Sequence, residues 1–146
     1  METDDDVGML IVRVFLGLVM LPHGAQKLLG WFGGHGFAAT LQGMTSMGLP
    51  AVIVLLVILA EFFGAIGLIT GFLSRVCAFG IFAVMVGAIL TVHIHNGFFM
   101  NWEGTQKGEG FEYHLLAIGM ALAVMMRGSG RMSVDRSLTP DRGVYR

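Results

Sequence analysis

The chain has 146 residues, of which 55% are hydrophobic and only 13% charged, more apolar surface than a soluble domain of this size can bury. A formal net charge of −1 argues against nucleic acid as a partner. Cys77 is the one cysteine, which excludes an internal disulfide and a dithiol mechanism within one chain.

The first apolar block covers residues 7–29 and contains Arg13, His23 and Lys27. It exceeds the roughly 20 residues that cross a hydrocarbon layer of about 30 Å. Met1-Glu2-Thr3-Asp4-Asp5-Asp6 is acidic where a secretory leader is basic, so this block is expected to stay attached as a span. Gly30-Trp31-Phe32-Gly33-Gly34-His35-Gly36 breaks the helix, and 37–47 reads as a short helix lying in the membrane interface. Gly48-Leu49-Pro50 then introduces a second block at 51–72, and a third follows at 75–95. The fourth, 113–126, is shorter; Phe111 at one end and a snorkelling Arg127 at the other extend it.

None of these blocks alternates strictly between apolar and polar residues, as a membrane barrel strand would. Backbone groups in lipid must also bond within their own segment. The expected fold is therefore all-α: one domain, 1–146, forming an integral membrane four-helix bundle with a tail at 127–146. Arg75, Arg127, Arg131, Arg136, Arg142 and Arg146 fall on one side of it, against Lys27 and Lys107 on the other. The positive-inside rule then places both termini in the cytoplasm. Gly17 and Gly24, Ala60, Gly64, Gly67 and Gly71, and Gly80, Ala83 and Gly87 mark the faces where backbones approach. Packing within one chain is the first reading of these faces, and a homo-oligomer contact the alternative.

Glu61 stands in the most apolar block, where a carboxylate is either paired or functional. With α-helical rise, Arg13 lies somewhat cytoplasmic of it and His23 somewhat external. Two readings stand side by side: a buried Arg13–Glu61 ion pair that only holds the bundle, or a proton and charge network of Arg13, Glu61 and His23. His23, Lys27, His93, His95, Glu112 and His114 gather at the external helix ends. None shows the spacing of a dedicated metal motif, so no metal site is expected. Phe98, Phe99, Trp102, Phe111 and Tyr113 form an aromatic belt around the last external loop. A quinone head group would suit such a site, with His23 and His93 donating to its carbonyl oxygens, and the expected ligand-binding residues are His23, Lys27, Glu61, His93 and Glu112. No haem, flavin or iron–sulfur motif is recognisable.

The stretches His23-Gly24-Ala25-Gln26-Lys27-Leu28, Ala60-Glu61-Phe62-Phe63-Gly64, Asn96-Gly97-Phe98-Phe99, Gly108-Glu109-Gly110-Phe111-Glu112-Tyr113-His114 and Gly130-Arg131-Met132-Ser133-Val134-Asp135 resemble the DoxX family. The resemblance implies a small four-helix protein of the bacterial inner membrane, with soluble or membrane redox partners. Arg13, His23, Lys27, Glu61, His93 and Glu112 occupy its recognisable polar positions, whereas His95 and Ser74 depart from the pattern. The function it implies is an accessory or quinone-linked subunit of a membrane redox complex, with a non-enzymatic scaffold or small-molecule carrier as the alternative.

Overall fold

The Asp6 carboxylate accepts the N–H of Met9 at 3.2 Å, satisfying one of the donors that a helix start leaves free. From there α1 runs Val7–Leu29 and ends at Gly30, whose left-handed backbone (φ 74°) no larger residue adopts as easily. The computed structural model describes residues 6–138; the acidic residues before Asp6 and the tail arginines Arg142 and Arg146 lie outside them. Helix α2 spans Gly36–Ser46 and buries none of its side chains. Helix α3, Ala51–Thr70, contains one π-helical turn at Ala60–Gly64. Helix α4 is Ser74–Thr91, α5 is Glu112–Arg127 and α6 is the short Val134–Leu138.

No strand occurs among the described residues. Helices α1, α3 and α4 are long and apolar enough to cross a membrane. Helix α5 has 16 residues, about 24 Å of rise. The third block ends earlier than the expected residue 95. Val92 leaves the helical conformation (φ −125°), so His93 and His95 sit on a separate 3-10 turn, His93–Asn96.

The four longer apolar helices pack in the cyclic order α1, α3, α4, α5. Inside lie small or aliphatic side chains such as Leu16, Met20, Ala65, Ala78, Ala117 and Ala121. Phe15, Leu18, Leu56, Phe79, Leu116 and Met126 are exposed on the outside, an arrangement that suits lipid as the solvent and not water. The protein is a multi-pass membrane protein, and its outer surface meets the bilayer.

Glycines set the register of α1 against α3. A Cβ at Gly24 would lie 2.5 Å from the Phe62 nitrogen, and one at Gly17 2.8 Å from the Ala65 carbonyl oxygen. Both would clash, so the backbones touch at two levels. Measured along α1 from the Gly24 contact, Lys27 lies about 4–5 Å toward the helix C-terminus and Arg13 about 16 Å the other way. The expected Arg13–Glu61 pair is therefore not formed. Glu61 bonds Lys27 instead, because the glycine contacts and not the helix ends fix which side chains share a level.

Arg13 is fully buried, and its five N–H donors meet five carbonyl oxygens. Nε donates to Ser129, Nη1 to Leu68 and Ile69, each at 2.7 Å, and Nη2 to Met132 at 3.0 Å and Arg131 at 3.3 Å. The Leu68 and Ile69 carbonyls belong to the last turn of α3, where helical partners run out and the dipole is negative.

The same end of the bundle is tied a second time by Asp135. Its carboxylate accepts the N–H of Leu73 at 2.7 Å and of Ser74 at 3.0 Å, capping α4 from a distant segment, and also accepts the Ser129 hydroxyl. Burial pushes this carboxyl up, but the hydrogen bonds from Ser129, Ser74 and Leu73 outweigh burial and hold it below its ordinary value of 3.8. Its stabilisation is therefore complete above that ordinary value and is lost as acidification passes the lower folded value. Asp135→Ala should cost about 1–3 kcal/mol at neutral pH by leaving buried N–H groups unpaired. In thermal unfolding of detergent-solubilised protein, the gap between variant and wild type should narrow below about pH 4; a gap independent of pH would show that the charge of Asp135 is not what caps α4.

Candidate functional site

The π-turn places Glu61 against α1, where Gly24 leaves the room. The Glu61 side chain is 5% exposed and accepts from Lys27 Nζ at 2.5 Å, while Lys27 is 27% exposed. Ala60, the residue before, touches α4 at the level of Gly80, where an added Cβ would lie 3.2 Å from the Ala60 Cβ. From that contact toward the N-terminus of α3, the two helices line opposite walls of a cavity of about 750 Å³: Ile53, Leu56 and Val57 from α3, and Ala83, Gly87, Ala88 and Thr91 from α4. Met44, Met47, Leu49 and Met100 add apolar, adaptable surface.

The polar lining comes from His23, Lys27, Glu61, His93, Glu109, Tyr113 and His114. Ile53, Leu56 and Phe79, which also line the cavity, are exposed on the outer face of the bundle. The cavity thus has an apolar mouth on the lipid-facing surface and a small set of polar groups, the usual composition of a small-molecule site.

Each polar group is held by local structure. His93 Nδ1 lies 2.8 Å from the Glu109 carbonyl oxygen. A carbonyl only accepts, so Nδ1 carries the proton, and the neutral ring has a lone pair at Nε2. The His114 ring contacts that of His93, with centroids 4.0 Å apart. His114 is 6% exposed, and its Nδ1 has no hydrogen-bond partner among the described residues. Tyr113 donates its hydroxyl to Met20 Sδ at 3.4 Å and lies 6.1 Å from the His23 ring.

The loop between the 3-10 turn and α5 closes beside these groups. Backbone bonds Gly110 to Phe99, Phe111 to Gly97 and Glu112 to Phe98 pair its two arms. Gly110 is required there, since a Cβ would strike the Phe99 carbonyl oxygen.

Of the residues expected to bind ligand, His23, Lys27, Glu61 and His93 line the cavity. Glu112 does not: its carboxylate accepts the Met100 N–H at 3.0 Å and the Trp102 indole N–H at 3.2 Å, fastening the loop. The expectation that His93 donates to a ligand carbonyl also fails in its neutral form, because its N–H is taken by Glu109. Arg13 stands apart, its donors spent on backbone. Among the described residues no group of three or more His, Cys, Asp or Glu could hold a metal. Tyr113 and His114 are lining residues that the expected set lacks. The spacing of His114, Ala117, Ala121 and Val124, all buried, marks one helix face, so His114 could have been assigned inward.

The DoxX family model matches residues 8–94, more than half of the chain. This chain belongs to the DoxX family. It is 31% identical over 138 residues to the inner membrane protein YqjF of Escherichia coli K12, covering 94% of this chain and 97% of that one. It is 28% identical over 135 residues to the putative oxidoreductase CatD of Bacillus subtilis 168, covering 92% and 90%. No solved structure matches the chain. In this DoxX protein the matched region contains Arg13, His23, Lys27, Glu61 and His93, whereas Tyr113 and His114 lie beyond it.

The Lys27–Glu61 pair has unequal ends, which makes its energetics testable. Lys27→Met strands a nearly buried carboxylate and should cost about 3–5 kcal/mol. Glu61→Gln leaves a lysine that still reaches solvent and should cost less. A double-mutant cycle in detergent should give a coupling above about 1 kcal/mol for Lys27 with Glu61 and additivity for Arg13 with Glu61. Coupling of Arg13 and not Lys27 would refute the pairing.

Proposed function

We propose that this DoxX protein binds an amphipathic, quinone-type ligand in the cavity between α3 and α4. In this reading it serves as a quinone-linked or accessory subunit of a redox complex in the bacterial inner membrane, and a partner protein supplies the redox centre. The observation that carries the reading is the combination of a lipid-facing apolar mouth with Glu61, Lys27, His23, His93, Tyr113 and His114 lining the same space. A ligand dissolved in the bilayer enters sideways, keeps its tail among methionines and aliphatic residues, and meets hydrogen-bonding groups with its head. Lys27 and Glu61 neutralise one another, so the polar lining suits an uncharged ring with oxygen substituents. The relative named as a putative oxidoreductase agrees with this class of function.

Gly87 offers a direct test, because it lines the cavity and a Cβ there meets nothing within 4 Å. Gly87→Phe should fill the cavity without disturbing the packing of α4. Calorimetric titration of protein in lipid nanodiscs with a short-tailed benzoquinone should show saturable binding to the wild type, loss of at least tenfold in affinity in Gly87→Phe, and an unchanged unfolding temperature. No saturable binding to the wild type would overturn the ligand reading and leave the scaffold in its place.

The proposed arrangement in the membrane has four crossings, with α5 as the fourth, and both termini in the cytoplasm. Arg75 and the arginines after α5, against Lys27 and Lys107 at the opposite ends, support it. In a Cys77→Ser background, cysteine at position 102 should react with an impermeant thiol reagent added to intact cells, and cysteine at position 137 only after lysis. The reverse pattern would invert the orientation.

A further inference from the structure

Resting on the ligand reading above, we infer that the site prefers the reduced, hydroxyl-bearing form of its ligand, a hydroquinone, over the oxidised dicarbonyl form, and that His93 is the residue that makes the choice. The neutral His93 ring has its N–H bound to the Glu109 carbonyl at 2.8 Å, so it can offer a ligand only the lone pair of Nε2. A quinone carbonyl, also an acceptor, gains nothing from that atom. A phenolic hydroxyl donates to it.

The neighbouring ring completes the arrangement. His114 lies in ring contact with His93, is more than nine-tenths buried, and has an Nδ1 that no group among the described residues bonds. A buried polar atom of this kind is costly unless something arrives to bond it. With the proton of His114 on Nδ1, one hydroxyl oxygen resting against the two rings donates to His93 and accepts from His114, using both capacities of an O–H group. A carbonyl oxygen in the same place accepts from His114 alone and leaves the lone pair of His93 facing another lone pair. His114 therefore holds either form, and His93 distinguishes them.

His23 lines the same cavity, but a ring N–H donates to a hydroxyl oxygen and to a carbonyl oxygen alike, and the other polar groups near the pair are already engaged. Lys27 is already bonded to Glu61, and the Tyr113 hydroxyl is directed to Met20. Glu109 bonds His93 through its backbone carbonyl, while its side chain accepts the Asn101 N–H, so the carboxylate stays out of the choice.

The experiment compares a decyl-benzohydroquinone with the matching benzoquinone, titrated anaerobically into wild-type protein in nanodiscs at neutral pH. The reduced form should bind about three- to tenfold more tightly, the usual net effect of one hydrogen bond. His93→Phe should abolish the preference by weakening the reduced form alone. His93 lies on a half-exposed turn, so this variant tests the choice without opening the core. His114→Phe should weaken both forms alike. If both forms bind the wild type but the quinone binds as tightly or more tightly, or if His93→Phe leaves the ratio unchanged, the assignment of His93 is wrong while the ligand reading survives. If neither form binds, the ligand reading itself fails.

Discussion

Arg13 is a permanent charge that lies within a membrane-spanning helix and is fully buried, and its end of the bundle is organised around satisfying it. A guanidinium in that position cannot be left with free donors, because each unmet group costs on the order of 1–3 kcal/mol or more. Its five donors take carbonyls from two places: the last turn of α3 and the segment 129–132 after α5. Those carbonyls also need it, since the end of a helix leaves acceptors unpaired. The segment after α5 is thereby drawn back under the bundle. That return brings Asp135 to the start of α4, which has no cap of its own. Gly71 permits the approach, because a Cβ there would strike Ser133 and come within 3.0 Å of the Arg13 guanidinium carbon.

This solution differs from the one the sequence suggests. An arginine and a glutamate in neighbouring apolar blocks invite pairing, and the depth estimate brings them near one another if the helices are aligned by their ends. The alignment is in fact made by Gly17 and Gly24, which let α1 touch the backbone of α3 at Ala65 and at Glu61–Phe62. The same glycines are recognisable in the sequence as contact positions, but which backbone atoms they meet is a property of two helices together. The all-α fold and the extent of the helix Val7–Leu29 were legible because hydrophobic length and glycine punctuation are local signals, while the second apolar block, expected to reach residue 72, ends as a helix at Thr70 before Gly71. The π-turn at Ala60–Gly64 and the 3-10 turn at His93–Asn96 were not, since polar residues mark these places but do not say which backbone hydrogen-bond pattern the chain adopts there.

The site was legible to a similar depth. Glu61, His23, Lys27 and His93 stand out as polar groups in or beside apolar blocks, and all four line one cavity. Glu112 stands out for the same reason, yet it bonds Met100 and Trp102. A carboxylate beside an aromatic loop can bind a ligand or hold the loop, and the sequence does not separate these roles. His93 shows the same limit more sharply. Its presence is readable, but the direction of its hydrogen bonding depends on a carbonyl sixteen residues away. Donor and acceptor roles are set by the fold even where the residue is obvious.

The two cations of α1 illustrate how one helix face can serve two purposes. Arg13 and Lys27 are fourteen residues apart, close to four helical turns, and so point the same way. Arg13 is planar with donors fixed in a fork, and it is surrounded by backbone that leaves it no second arrangement. Lys27 is a flexible point charge, a quarter exposed, with one carboxylate partner. Exchanging them would fail at both ends: an ammonium has three donors for five carbonyls, and a guanidinium at position 27 would bring five donors to one carboxylate partner. Because Glu61 cancels Lys27, the cavity has polar groups without net charge from this pair. An anionic head group would have to displace Glu61 to reach the lysine, leaving a carboxylate buried without a partner. A neutral ring needs no such exchange, and it is the kind of molecule that reaches a mouth opening onto lipid.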